Sequence, residues 1–237
     1  MTAPDWTIYQ AVLFDLDGVV TPTALVHARA WAEMFNDYLP TLPEPRQAPF
    51  TDADYHAYVD GKPRYDGVRD FLASRGLHPD EDEIVRLGDR KNDLVNEVLE
   101  RDGVEAYPGS VLLLDHLRDL GMPLAIVSSS ANARAVLTAA GLLDRFATIV
   151  DGTVARDLGL PGKPAPDTFL HAAEVLGATA ATSVVLEDAV SGVAAGKAGH
   201  FGLTVGVDRG AGSALAAAGA DVLVEDLAEL VPEGDNA

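Results

Sequence analysis

Asp15-Leu16-Asp17-Gly18 places two carboxylates two residues apart, directly after the apolar run at residues 11–14. Such a run suits a fully buried parallel strand, and the glycine suits the tight turn that must follow it. In open α/β sheets, reactive groups gather beyond the carboxyl ends of the strands, which is where both aspartates fall. Carboxylates so close repel, and beside a dry core that repulsion is costly unless a cation or a proton intervenes. A hard divalent ion bound by oxygen ligands, such as Mg²⁺, would relieve it. Two solvated aspartates in a loop are the alternative that this stretch alone leaves open.

Three later stretches also put polar groups at the end of an apolar run or in the loop beyond it. Residues 124–127 lead into Ser128-Ser129-Ser130-Ala131-Asn132, where hydroxyls and amide nitrogens opening onto a helix either bind an anion or simply cap the helix. In Gly162-Lys163-Pro164-Ala165-Pro166-Asp167 a lysine is wedged between glycine and proline. It cannot be a solvating residue in mid-helix, and Pro166 suits the first turn of the helix that follows. Val184-Val185-Leu186-Glu187-Asp188 ends another apolar run in two acids, with Ser191-Gly192 and a helical pattern beyond. Those acids could cap that helix and no more. Yet a doubly wound sheet would set this strand beside the first.

The elements around these stretches fall into two sets. Leu25, Ala28, Ala32, Phe35 and Leu39 recur at helical spacing, predicting an amphipathic helix to about residue 38. Residues 40–49 hold four prolines and read as an irregular connection. Further helices are expected over 52–59, 65–74 and 80–100, the last with acids in its first turn and Gly103 beyond its end. No strand pattern interrupts this region. It reads as a helical cap of residues 23–103 inserted into a core domain of residues 1–22 and 104–237. From Gly109 onward, helices at 110–120, 132–140, 167–176 and 190–198 alternate with strands at 124–127, 147–150, 183–186, 203–207 and 221–224, with a loop at 155–166. Alternation of this kind argues for an α/β fold with a doubly wound, mostly parallel sheet. Alanine-rich 214–220 suits a short surface helix, and the tail from Pro232 to Ala237 is expected to fray.

Composition narrows the partners. The chain has 237 residues, 48% of them hydrophobic, and a formal net charge of −20. It can fill a substantial core, and it repels nucleic acid and anionic membrane surfaces. Any phosphate site needs a local cluster of cations or a metal. Without cysteine there are no disulfides, thiolate metal sites or cysteine nucleophile. The first ten residues lack the basic and apolar regions of a signal peptide, and no run of about 18 apolar residues could span a membrane. A soluble, cytoplasmic, monomeric protein is expected.

Taken together, the four stretches resemble the haloacid dehalogenase superfamily. Its first motif has the form D-x-D-G-x-[VT]-x-[ST], its second is a Ser or Thr matched by Ser128, its third is K-P-x-P-[DE], and its fourth is [ED]-D-x-x-x-G. The resemblance implies a Rossmann-like core, Asp15 as nucleophile and Asp17 as general acid and base. It also implies that Lys163 and Ser128 bind the transferring phosphate. Mg²⁺ would be held by Asp15, the Asp17 backbone carbonyl, Glu187 and Asp188.

Within the superfamily the cap and flanks are similar to the β-phosphoglucomutase family. The stretch DGVVTPTALVHARAW, residues 17–31, carries Thr23, and it carries His27 where that family keeps a histidine that sets the second aspartate. Gly61-Lys62-Pro63-Arg64 matches a cap loop with a glycine and a phosphate-binding arginine. Arg90-Lys91-Asn92 matches an R-K-N in the long cap helix, and Ser130 and Asn132 match core positions that bind the substrate phosphate. Lys91 has its own argument. It shares a helical face with Ile84, Leu87, Leu94 and Val98, so it either snorkels to solvent or points into a cleft, and Arg64 in the preceding loop favours the cleft. Thr23, His27, Gly61, Arg64, Lys91, Ser130 and Asn132 are therefore the expected substrate-binding set. Pro22, Asp60 and Ala131 depart from the pattern. The last two remove positive charge near the expected distal phosphate and leave the particular sugar open.

By resemblance the substrate is a small sugar phosphate. The reaction is interconversion of β-glucose 1-phosphate and glucose 6-phosphate through the 1,6-bisphosphate. A sugar-phosphate phosphatase is the nearest alternative, and a non-catalytic binding module of the same fold is a remote one.

Overall fold

The computed structural model describes residues 3–43 and 47–232. The tail beyond Pro232 and residues 44–46 of the proline-rich connection lie outside the described residues. Six strands, β1 (Ala11–Phe14), β2 (Leu124–Val127), β3 (Thr148–Val150), β4 (Ser183–Glu187), β5 (Leu203–Val207) and β6 (Val222–Val224), form one sheet in the order β3-β2-β1-β4-β5-β6. All five pairings are parallel. Every residue of β1, β2 and β4 is buried, which is why β1 and β2 read as unbroken apolar runs and β4 as the apolar Val184-Val185-Leu186. Side chains alternate between the two faces. Val12, Phe14, Ile126 and Leu186 join one hydrophobic cluster with Leu113 and Val136. Ala11, Leu13, Val127 and Val185 join another with Phe169 and Ala195.

The order has a consequence for chemistry. The chain leaves β1 toward β2 and β3, then returns to β4 on the other side of β1. The crevice at the strands' carboxyl ends opens at such a reversal, and Leu186 pairs in register with Phe14. Glu187 and Asp188 therefore come to the side of Asp15.

Between β1 and β2 the chain is helical: α1 (Ala24–Tyr38), α2 (Asp52–Asp54), a π turn over Tyr55–Val59, α3 (Arg64–Ser74) and α4 (Glu81–Asp102). These helices bury a separate cluster that includes Trp31, Phe35, Phe50, Phe71, Leu87 and Leu94. The Phe35 and Phe71 ring centroids are 4.3 Å apart. Asp80 caps α4 by accepting from the Glu83 N–H, and Glu81, Asp82 and Glu83 occupy its first turn, where negative charge favours the helix dipole. One expectation is corrected here: the helix predicted over 52–59 widens at Tyr55. The Asp60 N–H donates to the Tyr55 carbonyl at 3.0 Å, five residues back, and Gly61-Lys62-Pro63 then leaves the helix.

Flanking the sheet are α5 (Pro108–Asp119), α6 (Ala133–Ala139), α7 (Gly152–Leu158), α8 (Asp167–Val175), α9 (Val190–Ala198) and α10 (Gly212–Ala218). The helix α7 overturns part of the expected loop at 155–166. Asp151 accepts from the Thr153 and Val154 N–H groups, and Gly159 closes the helix in the left-handed region at φ 65°. Most other boundaries differ from expectation by one or two residues, at frayed ends. Among the described residues, no helix is long and apolar enough to cross a membrane.

Candidate active site

Lys163 ties three strand ends together. Its Nζ donates to Asp15 Oδ1 at 2.5 Å, to Glu187 Oε1 at 2.5 Å and to the Val127 carbonyl at 3.0 Å. Three acceptors use all the donors of an ammonium group. The Asp15 N–H donates to the Leu186 carbonyl at 2.9 Å, so the neighbouring strand fixes the backbone under the carboxylate. Burial pushes the Asp15 carboxyl well above its usual range against the pull of Lys163, with Glu187 and Asp17 adding to the rise. Burial disfavours the charge on Lys163, but Asp15 and Glu187 outweigh it and hold the ammonium above its ordinary value.

The acids still outnumber the cation. Asp15, Glu187 and Asp188 each offer an oxygen, all within 4.8 Å of one another. Burial raises the Asp188 carboxyl, and repulsion from Glu187, Asp15, Asp60 and Asp17 raises it further. A cluster of carboxylates with unrelieved repulsion is a donor set that fits a hard divalent cation. Glu187 is the most constrained of the three. Besides Lys163 it accepts the Ala189 N–H through Oε2 at 2.9 Å. Gly18, at φ 90°, has no room for a Cβ because the Asp188 carboxylate lies against it.

Asp17 belongs to a second network. The Thr23 hydroxyl donates to its Oδ1, and the Thr21 and Thr23 hydroxyl oxygens are 2.8 Å apart. His27 Nε2 faces the same carboxylate oxygen at 3.4 Å, while Lys91 Nζ lies 2.5 Å from His27 Nδ1. Burial would raise the Asp17 carboxyl, but His27, Thr23 and Lys91 outweigh it and hold it at about 2. Burial lowers Lys91 to about 7, against the pull of Asp17. Lys91 is 5% exposed and its Nζ sits 5.0 Å from the centre of the Trp31 indole. The buried stripe of α4 thus delivers its lysine into the cleft rather than to solvent.

The helical insertion closes over these groups. Ser129 Oγ donates to the Gly61 carbonyl at 2.8 Å, and Ser191 Oγ donates to the Asp60 carbonyl at 3.0 Å. Gly61 sits at φ 67° where a Cβ would strike Ser191 and Ala189. Asn132 Nδ2 donates to Asn92 Oδ1 at 2.9 Å across the same seam. Asp15, Asp17, His27, Gly61, Arg64, Lys91, Ser130 and Asp188 all line the enclosed cleft. Ser128, Lys163 and Glu187 are buried beside it. Thr23 reaches it through Asp17, and Asn132 meets it at Asn92, which lines the wall. Ser130 Oγ accepts the Asn132 N–H at 3.2 Å, and Ser128 Oγ accepts the Ser130 N–H at 3.0 Å.

Trp31 and Tyr55 also line the cleft, and the sequence reading did not select them. Trp31 looked like one more apolar residue of α1, and nothing in the sequence marks the π turn that presents Tyr55. Asp60, noted only as a departure, faces the cleft too, with Oδ2 3.0 Å from His56 Nδ1. Arg90 stays outside it and pairs with Glu97 at 3.6 Å.

A parallel sheet whose strand ends gather acids around one lysine, under a helical lid, defines a class. The family model for haloacid dehalogenase-like hydrolases matches residues 9–200, and the chain belongs to that family. It is 48% identical over 240 residues to a β-phosphoglucomutase of Mycobacterium bovis, an alignment covering 94% of this chain and 91% of the relative. It is also 32% identical over 188 residues to hexitol phosphatase A of Escherichia coli, covering 78% of this chain and 77% of that one. The crystal structure of β-phosphoglucomutase from Clostridium difficile matches with a TM-score of 0.79 at 25% identity, covering 94% of this chain and 93% of the other. The protein is an enzyme of the branch that holds β-phosphoglucomutases and related phosphatases.

Proposed function

We propose that the enzyme moves a phosphoryl group on a sugar phosphate through an aspartyl phosphate at Asp15. The reaction it fits best is conversion of β-glucose 1-phosphate into glucose 6-phosphate. The observation that carries this reading is the second carboxylate. Asp17 is held ionised by Thr23, His27 and Lys91 inside the cleft that Asp15 lines. An ionised Asp17 is the base form: it takes the proton of an acceptor hydroxyl, then returns it to the leaving oxygen in the reverse half-reaction.

Asp15 attacks phosphorus in line, and the bond to the leaving oxygen breaks as the bond to Oδ forms. The Lys163 ammonium, its donors taken by Asp15, Glu187 and the Val127 carbonyl, offsets charge on the transferring group, and the Ser128 hydroxyl donates to one of its oxygens. Asp15, Glu187, Asp188 and the Asp17 carbonyl are the groups that would hold Mg²⁺, which when bound offsets negative charge on those oxygens. Residues 23–103 act as the cap. Its contacts through Gly61, Asp60 and Asn92 shut water out while the phosphoenzyme exists. Arg64, Ser130 and Asn132, with Gly61 at the loop, take the phosphate remote from Asp15.

A phosphatase, like the hexitol phosphatase relative, would share the first half-reaction and lack the need for a second phosphate site. Arg64 at the cleft wall favours the mutase. Trapping tests the covalent step: with Mg²⁺ and a labelled hexose phosphate, label is expected on the wild-type protein and not on Asp15→Asn. Label on the variant would rule out Asp15 as nucleophile.

A further inference from the structure

At position 60 a carboxylate stands on the wall of the catalytic cleft, alongside Tyr55, Val59 and Gly61. The turn that puts it there is held on both sides. The Asp60 N–H donates to the Tyr55 carbonyl, five residues back, at 3.0 Å, and the Asp60 carbonyl accepts from Ser191 Oγ of the core at 3.0 Å. The preceding Val59 is 2% exposed. A side chain leaving so constrained a backbone is positioned before any ligand arrives. Single π turns of this kind are frequent at functional sites.

The chemistry of this carboxylate narrows what it can meet. Its side chain is 20% exposed, and taking an ionised group out of water is costly unless partners replace the water. His56 Nδ1 lies 3.0 Å from Oδ2, and the Tyr55 hydroxyl is a second hydrogen-bond partner. A carboxylate has about four acceptor positions, so these two leave room for further donors. The cation nearest in sequence does not fill them, because Lys62 pairs with Asp70 at 2.6 Å. Nor is Asp60 one of the three acids whose oxygens lie within 4.8 Å of one another. Asp60 and Asp188 repel each other, and phosphate oxygens would be repelled in the same way. What remains is a hydrogen-bond donor without negative charge, and a sugar phosphate carries several as its ring hydroxyls.

We propose that the Asp60 carboxylate accepts hydrogen bonds from ring hydroxyls of the sugar and so helps to select which sugar phosphate the cleft takes. Its place in the cleft suits the middle of such a substrate. Asp188 and Lys163, at the Asp15 end, both act on it, and Arg64 follows four residues later on the same wall. The sugar ring lies between the phosphoryl group at Asp15 and the phosphate at Arg64, so its hydroxyls are the donors offered to a group set between those ends. Burial and the neighbouring acids keep the Tyr55 hydroxyl protonated, which lets it steady the carboxylate from the side. The proposal rests on the sugar-phosphate reading above.

The test uses the full-length Mg²⁺-loaded enzyme, primed with a trace of glucose 1,6-bisphosphate, on β-glucose 1-phosphate and its 2-, 3- and 4-deoxy analogues. The readout is kcat/KM for consumption of the hexose phosphate, whatever the product. Wild type is expected to take at least one analogue roughly 10- to 100-fold less well than the parent, the scale of a hydrogen bond to a charged group. Asp60→Ala should lower kcat/KM for the parent and erase the penalty at that position. Asp60→Asn, which keeps the shape and one acceptor oxygen, should retain part of it. A variant harmed only in its loop would lose the same factor on every sugar. That result, or a penalty unchanged in both variants, overturns the proposal. Equal rates of wild type on the parent and all three analogues overturn it too, and leave the sugar-phosphate reading standing. If wild type consumes none of these compounds, the sugar-phosphate reading falls, and this role for Asp60 falls with it.

Discussion

Lys91 Nζ stands 2.5 Å from His27 Nδ1, and the opposite nitrogen of that ring faces Asp17 Oδ1 at 3.4 Å. The two contacts set the imidazole between the lysine and the carboxylate. The helical insertion therefore reaches the Asp17 carboxylate through a lysine and an imidazole. His27→Ala is expected to lower kcat about 10- to 100-fold, the scale for losing an orienting partner, with KM moved much less. Steady-state kinetics check this. A rise in KM at unchanged kcat would place His27 in binding instead.

Lys91 also predicts a pH dependence of stability. Burial lowers its pKa from 10.5 to about 7 in the folded protein. Between those values the unfolded chain holds a proton that the folded one lacks, so the folded state gains stability as pH rises through the window. The destabilisation by this residue is complete below about pH 7 and gone above about 10.5. Lys91→Met should thus be more stable than wild type at pH 7, by an amount on the order of a few kcal/mol. The difference should shrink toward pH 10. Denaturant unfolding of both proteins across that range is the measurement, and a gap that widens with pH would contradict it.

Much of this arrangement is legible in the sequence. Strands β2 and β5 and helix α9 match their predicted limits, because parallel strands buried on both faces read as plain apolar runs. Asp15, Ser128 and Glu187 meet at strand ends because β1 lies between β2 and β4, as a doubly wound sheet would set them, while Lys163 reaches them from the loop after α7. The helix α7 was not legible. Its Gly152, Thr153 and Val154 are poor helix formers, and only Asp151 and Gly159, as start and stop signals, would have revealed it. Tyr55 escaped because a π turn leaves no period in the sequence.

Asp17→Asn should bind substrate nearly as wild type does, since the amide keeps the shape of the carboxylate. It can no longer take or give the proton, and turnover is expected to fall roughly 10²–10⁴-fold. Rates within a few-fold of wild type would remove Asp17 from that role.

Chelation of divalent ions should abolish turnover, and added Mg²⁺ should restore it. Asp15, Glu187 and Asp188 crowd their oxygens within 4.8 Å, and the repulsion raising Asp188 should ease when a cation binds. A stability gain on adding Mg²⁺, read as a higher Tm, should therefore accompany the recovered activity. It should be lost in Asp188→Ala. Full turnover in the presence of chelator would exclude the acid cluster as a required metal site.

On the proposed mechanism the cleft passes the phosphoryl group back to the sugar rather than to water. Wild-type enzyme incubated with Mg²⁺ and β-glucose 1-phosphate, primed with a trace of the 1,6-bisphosphate, should be followed for glucose 6-phosphate and free phosphate in the same sample. Glucose 6-phosphate is predicted to form in large excess over free phosphate. Free phosphate accumulating with no glucose 6-phosphate would make the enzyme a phosphatase and contradict the claim.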